Sequence, residues 1–476
     1  MDNKDTYISP FSERYASKEM QYLFSSNKKF STWRKLWVAL AEAEKELGLN
    51  QITDEMINEM KAHINDINYE VIEAYELKFH HDVMAHIHAY GEQCPKAKGI
   101  IHLGATSCYV GDNTDIIIIK EALKLLKKKL VNVIDSLATF ANQYKDLPTL
   151  AYTHFQAAQP TTVGKRATMW LQDFVSDYHD LEYVLSSLKL LGSKGTTGTQ
   201  ASFVDLFNDL ETPAKLDNLI AKKMGFDSCY PISGQTYSRK VDARVFNVLS
   251  SIAITASKVT NDIRLLQHLK EIEEPFESKQ IGSSAMPYKR NPMRSERVAS
   301  LARYVITNSL NPAFTASSQW LERTLDDSAN RRITIAEGFL ATDGILDLCI
   351  NIFNGLVVNE KVIANNLKKE LPFMITENIM MDLVKDGEDR QIVHEEIRKL
   401  SIEAGNRIKK EGLDNDLYER LLSSDKLNVN SNINYLDPNK YIGRSVEQVN
   451  EYLTNFVKQI LDKNKDLLGL KVEIKK

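Results

Sequence analysis

Ile116, Ile119, Leu123, Leu126, Leu130, Ile134, Leu137, Ala141 and Tyr144 recur at steps of three or four residues. That spacing puts all of them on one side of a single uninterrupted helix. Twenty-eight residues of rise correspond to about 42 Å at 1.5 Å per residue. Similar stripes run from Ala167 through Trp170, Phe174, Leu181 and Leu188 to Leu191, and from Val241 through Val248, Ile252 and Val259 to Leu266. A fourth runs from Ile333 through Ile345, Leu348 and Ile352 to Leu356. Ordinary globular helices average about 11–12 residues, so four such rods need an extended bundle to cover them. Helices of sister subunits are expected to complete it, although one large monomeric bundle also fits the pattern.

Composition agrees with an all-α chain. Gly and Pro number 20 and 12 in 476 residues, well below ordinary usage, so helix breakers are scarce. The expected organisation has three parts. Residues 1–106 form an N-terminal helical domain that includes an amphipathic stretch from Phe30 to Leu47, residues 107–358 hold the rods, and residues 359–476 form a further helical domain. The polar run GATSCYVGDNTD reads as a break, with Asn113 or Thr114 capping the first rod.

Charge and cysteine usage exclude several classes. Sixty Lys and Arg against 64 Asp and Glu leave a net charge of −4, which suits neither a nucleic-acid surface nor a polybasic membrane anchor. Cys94, Cys108, Cys229 and Cys349 are scattered, as free thiols in a reducing compartment are. MDNKDTYISPF lacks a signal peptide's apolar core, and the longest aliphatic run is only Ile116 to Ile119. The expected location is the cytoplasm, without contact to membrane.

Among candidate sites, a P-loop is absent, and Gly192, Gly195 and Gly198 follow a helical stripe where a dinucleotide fingerprint needs a strand. His80, His81, His86 and His88 cannot converge on one face together with Asp82, which argues against a metal site; a His81–Asp82 pair at a helix start suits substrate contact better. GSSAMPYKRNP (282–292) offers hydroxyls, backbone amides and Lys289, and Asn291-Pro292 reads as a cap that aims a helix N-terminus at an anion. Glu296 lies on that helix. A surface loop capping a helix is the plainer alternative. His154, in THFQAAQPTT, is placed to exchange protons near neutral pH or to serve structure. Arg323, Ser328, Arg331 and Arg332 can clamp a phosphate or form an ion-paired helix surface with Asp326 and Asp327.

The order TSCYVGDNTD, THFQ, GSSAMPYKRNP, ERTLDDSANRR closely resembles the adenylosuccinate lyase family of the aspartase/fumarase superfamily, from Arg14-Tyr15 to at least Arg332. GSSxMPxKxNP is the superfamily signature, and the Arg/Ser set at 323–332 separates this family from argininosuccinate lyases, whose substrate has no phosphate. The resemblance implies three all-α domains and a homotetramer with a 20-helix core, each active site being built from three subunits. It implies β-elimination of fumarate from adenylosuccinate, giving AMP, and from succinylated aminoimidazole carboxamide ribotide (SAICAR), giving AICAR. No metal or organic cofactor is implied.

In the family pattern Ser283 matches the base, while Lys289 and Asn291 match the groups that hold the carboxylate in which charge develops. His154 matches the acid that protonates the departing nitrogen, oriented by Glu296. Thr106, Ser107 and Gln235 match succinyl contacts, and Arg14, Tyr15, Arg297, Arg323, Ser328 and Arg332 match nucleotide contacts. His81 and Asp82 match the family's second histidine site; His80 stands where the family often has Arg, a weaker cation for that contact. The strap from Lys279 to Pro287 is expected to close over substrate.

Overall fold

The computed structural model describes residues 5–277 and 280–474; Lys279, at the start of the expected strap, lies outside them. Five helices form the bundle: Ser107–Gln143, Val163–Ser187, Lys240–His268, Met293–Asn308 and Asp327–Asn354. The apolar stripes turn inward, apart from Ile333 at the start of the fourth, which is exposed. In the first helix Ile116, Leu123, Leu126, Leu130, Ile134 and Leu137 are all fully buried. The fifth helix has the most enclosed place, with every residue from Gly338 to Ile350 buried. Two acids in that stretch, Asp343 and Asp347, are matched by the buried Lys129 at 2.5 and 2.7 Å.

The first helix starts earlier than its sequence suggests. Its N-cap is Thr106, and the supposed break at 107–115 is helical. Tertiary bonds override the weak local propensity of these residues. Asn113 donates to Gly192 O (3.1 Å) and accepts from Gly192 N (3.0 Å), while Asp112 pairs with Arg239 at 2.9 Å.

At 37 residues the first helix spans about 54 Å. It therefore gives the bundle two distant ends. Thr106 marks one of them. The other carries an antiparallel hairpin, Pro148–Thr153 with Gln156–Thr162, which leads into the second helix. The third helix is shorter but also links the two ends, from Asp242 beside Arg331 at the Thr106 end to Gln267 beside Arg290 at the other. There Ile272–Glu273 pairs with Val357–Val358.

Ahead of the bundle, helices Ser26–Glu46, Asp54–Ala62, Tyr69–Phe79 and Asp82–Gln93 bury Trp33 and Trp37. Beyond it, Leu371, Ile375, Ile379, Leu383, Val393 and Leu421 belong to a second, smaller core. The final segment returns to the bundle, where Asn132 donates to Leu467 O (2.8 Å) and accepts from Leu470 N (3.0 Å). Among the described residues no helix is long and apolar enough to cross a membrane.

Candidate active site

At the Thr106 end the N-terminus of the first helix opens into a cleft of about 340 Å³. Ser107, Asp82, Arg323, Ser328 and Arg332 line it together. Thr106 makes no side-chain capping bond, so its hydroxyl stays uncommitted beside the first free amides of the helix. Gln235 is tied down on three sides. Its N–H donates to Glu322 O (3.0 Å), its Nε2 to Thr196 O (3.1 Å), and its Oε1 accepts from Cys108 Sγ (3.4 Å). Burial pushes the Cys108 thiol up to about 12, so the sulfur remains protonated and donates.

Beneath the cleft lies a buried ionic layer, of which the sequence foreshadowed the Arg323–Asp327 pair but not the partners Arg239, Asp112, Asp115 and Asp242. Arg239 donates to Asp112 at 2.9 and 3.2 Å and to Asp327 at 2.6 Å. Asp327 also accepts from Arg323 at 3.0 Å, which fixes that guanidinium against the wall. Arg331 is no free clamp: it is buried on Asp242 (2.8 Å), Asp115 (2.9 Å) and the Tyr237 hydroxyl (2.6 Å). Arg332 points outward, its side chain 64% exposed, with Asp82 at 3.5 Å. Lys29, from the Ser26–Glu46 helix, completes the wall. No signal in the sequence singled it out, because it sits among ordinary amphipathic residues.

The four histidines of the 80–88 segment diverge. His80 ends the Tyr69–Phe79 helix in the left-handed region (φ 53°) and is absent from the cleft wall. His81 caps the next helix, its Nδ1 accepting from Met84 N (3.3 Å), and brings Asp82 to the cleft. His86 is packed 4.0 Å from the Phe30 ring, and burial lowers it to about 4. His88 lies against Phe79 at 4.8 Å.

A second cavity, of about 450 Å³, lies along the bundle and brings Arg14, Tyr15 and Arg297 together. Arg297 stands 5.8 Å from the Tyr15 ring centroid. The approach of Tyr15 requires glycine at 344, since a Cβ there would sit 2.9 Å from Tyr15 O.

The signature loop occupies the opposite end of the bundle from Thr106. Ser283 Oγ accepts from Met286 N (3.1 Å) and Ala285 N (3.3 Å), a serine turn that loads two backbone donors onto one hydroxyl. Ser283 is half-buried, whereas Ser284, Lys289 and Glu296 are exposed. Asn291 is not the helix cap expected from Asn-Pro. Its Nδ2 reaches back to Gly282 O (2.7 Å) and closes the loop, and the helix starts at Met293 with Pro292 as N-cap. The helix N-terminus is not open to a ligand either. Glu274 occupies it, accepting from Arg294 N (3.0 Å) and Ser295 N (2.8 Å).

His154 sits at the tip of the hairpin. Thr153 pairs with Gln156, so His154 and Phe155 form a two-residue turn with φ of 53° and 56°. Both central residues of such a turn need positive φ, which normally selects Asn-Gly. Here an imidazole and a phenyl ring, both exposed, hold that conformation. Within one chain the sequence-predicted residues are thus distributed over four places. Neither Ser283, Lys289, Asn291 nor His154 lines the cleft that holds Ser107, Arg323 and Ser328.

Residues 2–307 match the family described as Lyase, and residues 372–452 match the Adenylosuccinate lyase C-terminus. The chain is 52% identical to adenylosuccinate lyase of Saccharomyces cerevisiae over 97% of each chain. It is 49% identical to that of Schizosaccharomyces pombe over 98% of each, and 48% identical to that of Schistosoma mansoni over 100% of each. Its fold is that of 3-carboxy-cis,cis-muconate lactonizing enzyme from Pseudomonas putida, at a TM-score of 0.79, 20% identity and coverage of 96% of this chain and 99% of that one. Fumarate lyase from Mesorhizobium superposes with a TM-score of 0.76 at 22% identity, covering 95% and 99%.

Proposed function

The chain belongs to the adenylosuccinate lyase family, and we propose from that premise that it eliminates fumarate from adenylosuccinate and from SAICAR by a serine base and a histidine acid. The reaction removes a proton from the succinyl carbon beside a carboxylate, passes through a carbanion, and breaks the C–N bond. Such a carbanion is tolerable only where fixed donors hold the carboxylate that shares its charge. Ser283 Oγ takes the proton. Its two backbone donors, Met286 N and Ala285 N, are the observation that carries this role, because they stabilise the alkoxide form that a serine base requires. Lys289 and Asn291 hold the carboxylate that receives charge. His154 delivers a proton to the departing nitrogen, with Glu296 orienting it, so that AMP or AICAR leaves neutral at that atom.

Thr106, Ser107 and Gln235 take the succinyl end, where the free amides of a long helix favour anions, and His81 with Asp82 forms the second histidine site beside it. Arg323, Ser328 and Arg332 take the phosphate, and Arg14, Tyr15 and Arg297 the rest of the nucleotide. His80 contributes no direct contact in this reading.

These groups meet only if copies of the chain combine. About 54 Å of helix separates Thr106 from the hairpin that carries His154. Antiparallel packing of bundles would lay one end of each chain beside the other end of a neighbour. Apolar side chains left exposed on the bundle helices, among them Met169 (47%), Tyr183 (66%), Ile254 (54%) and Ile333 (59%), support burial in such an assembly. We assign a homotetramer with shared sites, its core built from residues 107–358 and flanked by the 1–106 and 359–476 domains, acting on small molecules in the cytoplasm.

The test is an ultraviolet assay with both succinyl nucleotides. Ser283→Ala should lower turnover by orders of magnitude while AMP still binds, and His154→Gln should slow the reaction without unfolding. Wild-type rates in either variant would remove that residue from its role.

A further inference from the structure

The cleft at the Thr106 end has one wall cation without an ion-pair partner among the described residues, although Asp242 behind Arg331 (2.8 Å) balances the total charge of the layer. Four of its wall carboxylates match four wall guanidiniums one to one: Asp112 with Arg239 (2.9 Å), Asp327 with Arg323 (3.0 Å), Asp115 with Arg331 (2.9 Å) and Asp82 with Arg332 (3.5 Å). Lys29 is the fifth cation on that wall. Among the described residues it makes no ion pair within 4 Å, and the two acids that act on it most strongly, Asp115 and Asp82, are already engaged by Arg331 and Arg332.

The ammonium is nevertheless held in place. It stands 5.3 Å from the Phe30 ring centroid and 5.3 Å from that of Trp33. Aromatic faces attract a cation and stiffen a side chain that otherwise swings freely. Burial disfavours its charge and lowers its pKa, with Arg332 adding repulsion. A partly desolvated ammonium without a carboxylate, beside a second cation and facing a cleft, is completed by an anion from outside.

We propose that Lys29 binds the phosphate of the nucleotide together with Arg332 and Ser328. The inference rests on the reading of Arg323, Ser328 and Arg332 as phosphate contacts, and adds a residue from the Ser26–Glu46 helix to them. An ammonium is a compact point charge, suited to one phosphate oxygen, while the planar guanidinium of Arg332 takes two. The Ser26–Glu46 helix would then sense whether the cleft is occupied, because it carries both rings that seat Lys29.

The experiment measures binding of AMP and of adenosine by calorimetry to the wild-type enzyme, Lys29→Gln and Lys29→Arg. Lys29→Gln is expected to weaken AMP by about tenfold or more, the loss of one charge-assisted bond, and to leave adenosine within about twofold. Lys29→Arg should recover most of the AMP affinity, and inhibition by fumarate should not change. Unchanged AMP affinity in Lys29→Gln overturns the proposal, as does an equal loss for AMP and adenosine, which marks a packing role. Weaker fumarate inhibition with AMP unaffected also overturns it by reassigning the lysine to the succinyl end. A wild-type enzyme that binds AMP and adenosine equally overturns the underlying phosphate reading itself, a result distinct from the other three.

Discussion

The Glu274 carboxylate accepts twice from Ser295, from its backbone N–H at 2.8 Å and from its hydroxyl at 2.8 Å. A third bond from Arg294 N makes this buried acid the cap of the Met293–Asn308 helix. The signature loop hangs between the two partners, since residues 282–292 lie between 274 and 295. Replacing Glu274 by Ala strands two helix amides and a hydroxyl in the interior. The expected cost is about 2–4 kcal/mol of stability, read as a lower melting temperature. Turnover should fall with it, because the loop base loses its anchor. A variant with wild-type melting and turnover would show that the cap does not position Ser283.

The two-ended distribution of the site predicts complementation. His154→Gln and Arg332→Glu damage opposite ends of the chain, and each alone should be nearly inactive. After joint dissociation and reassembly at equal amounts, about one quarter of wild-type activity is expected, because an intact site then draws each end independently from an undamaged subunit. No recovery, with mixed assemblies verified by mass, would place both residues of one site on one chain.

The bundle was legible in the sequence because apolar residues at helical spacing survive any context, and the stripes at 116–144 and 241–266 became helices Ser107–Gln143 and Lys240–His268. What escaped was settled by contacts far apart in the chain. The run at 107–115 is rich in loop formers, yet Asn113 and Asp112 are bonded to Gly192 and Arg239 and stay helical. The hairpin at 148–162 has prolines within its strands and neither Gly nor Asn at its turn, so no local rule announced it. Glu274 usurps the cap that Asn291-Pro292 advertised, and nothing in its own neighbours says so. The candidate residues themselves were visible as motifs. Their partition among a cleft, a lateral cavity, a loop and a hairpin tip was not, because it depends on the length of one helix.

The turn at His154 and Phe155 stores backbone strain. A non-glycine residue in the left-handed region costs roughly 1–2 kcal/mol, and this turn has two in succession, with φ of 53° and 56°. Phe155→Gly should relieve about half of that and raise the melting temperature slightly or leave it unchanged. Turnover should fall nonetheless, since a glycine turn no longer fixes the backbone that carries His154. Retention of full kcat would show that neither the ring nor the stiffness of the turn serves the reaction.

Glu44 supplies a pH dependence unrelated to catalysis. The residue is fully buried in the Ser26–Glu46 helix and neither carboxyl oxygen has a hydrogen-bond partner among the described residues. Burial raises its pKa from 4.5 to about 9. The folded chain therefore holds a proton that the unfolded chain releases above pH 4.5. Stability from this group is complete below that value and is lost progressively as pH rises through about 9. Glu44→Gln removes the titration while keeping size and polarity. Between pH 5.5 and pH 8 the variant should gain on the wild type by about 3 kcal/mol, at about 1.4 kcal/mol per pH unit. Melting curves of both proteins at matched protomer concentration check this, since other titrating groups cancel in the difference. A gap that stays constant over that range would mean that Glu44 is ionised in the folded protein, with a counter-charge reaching it.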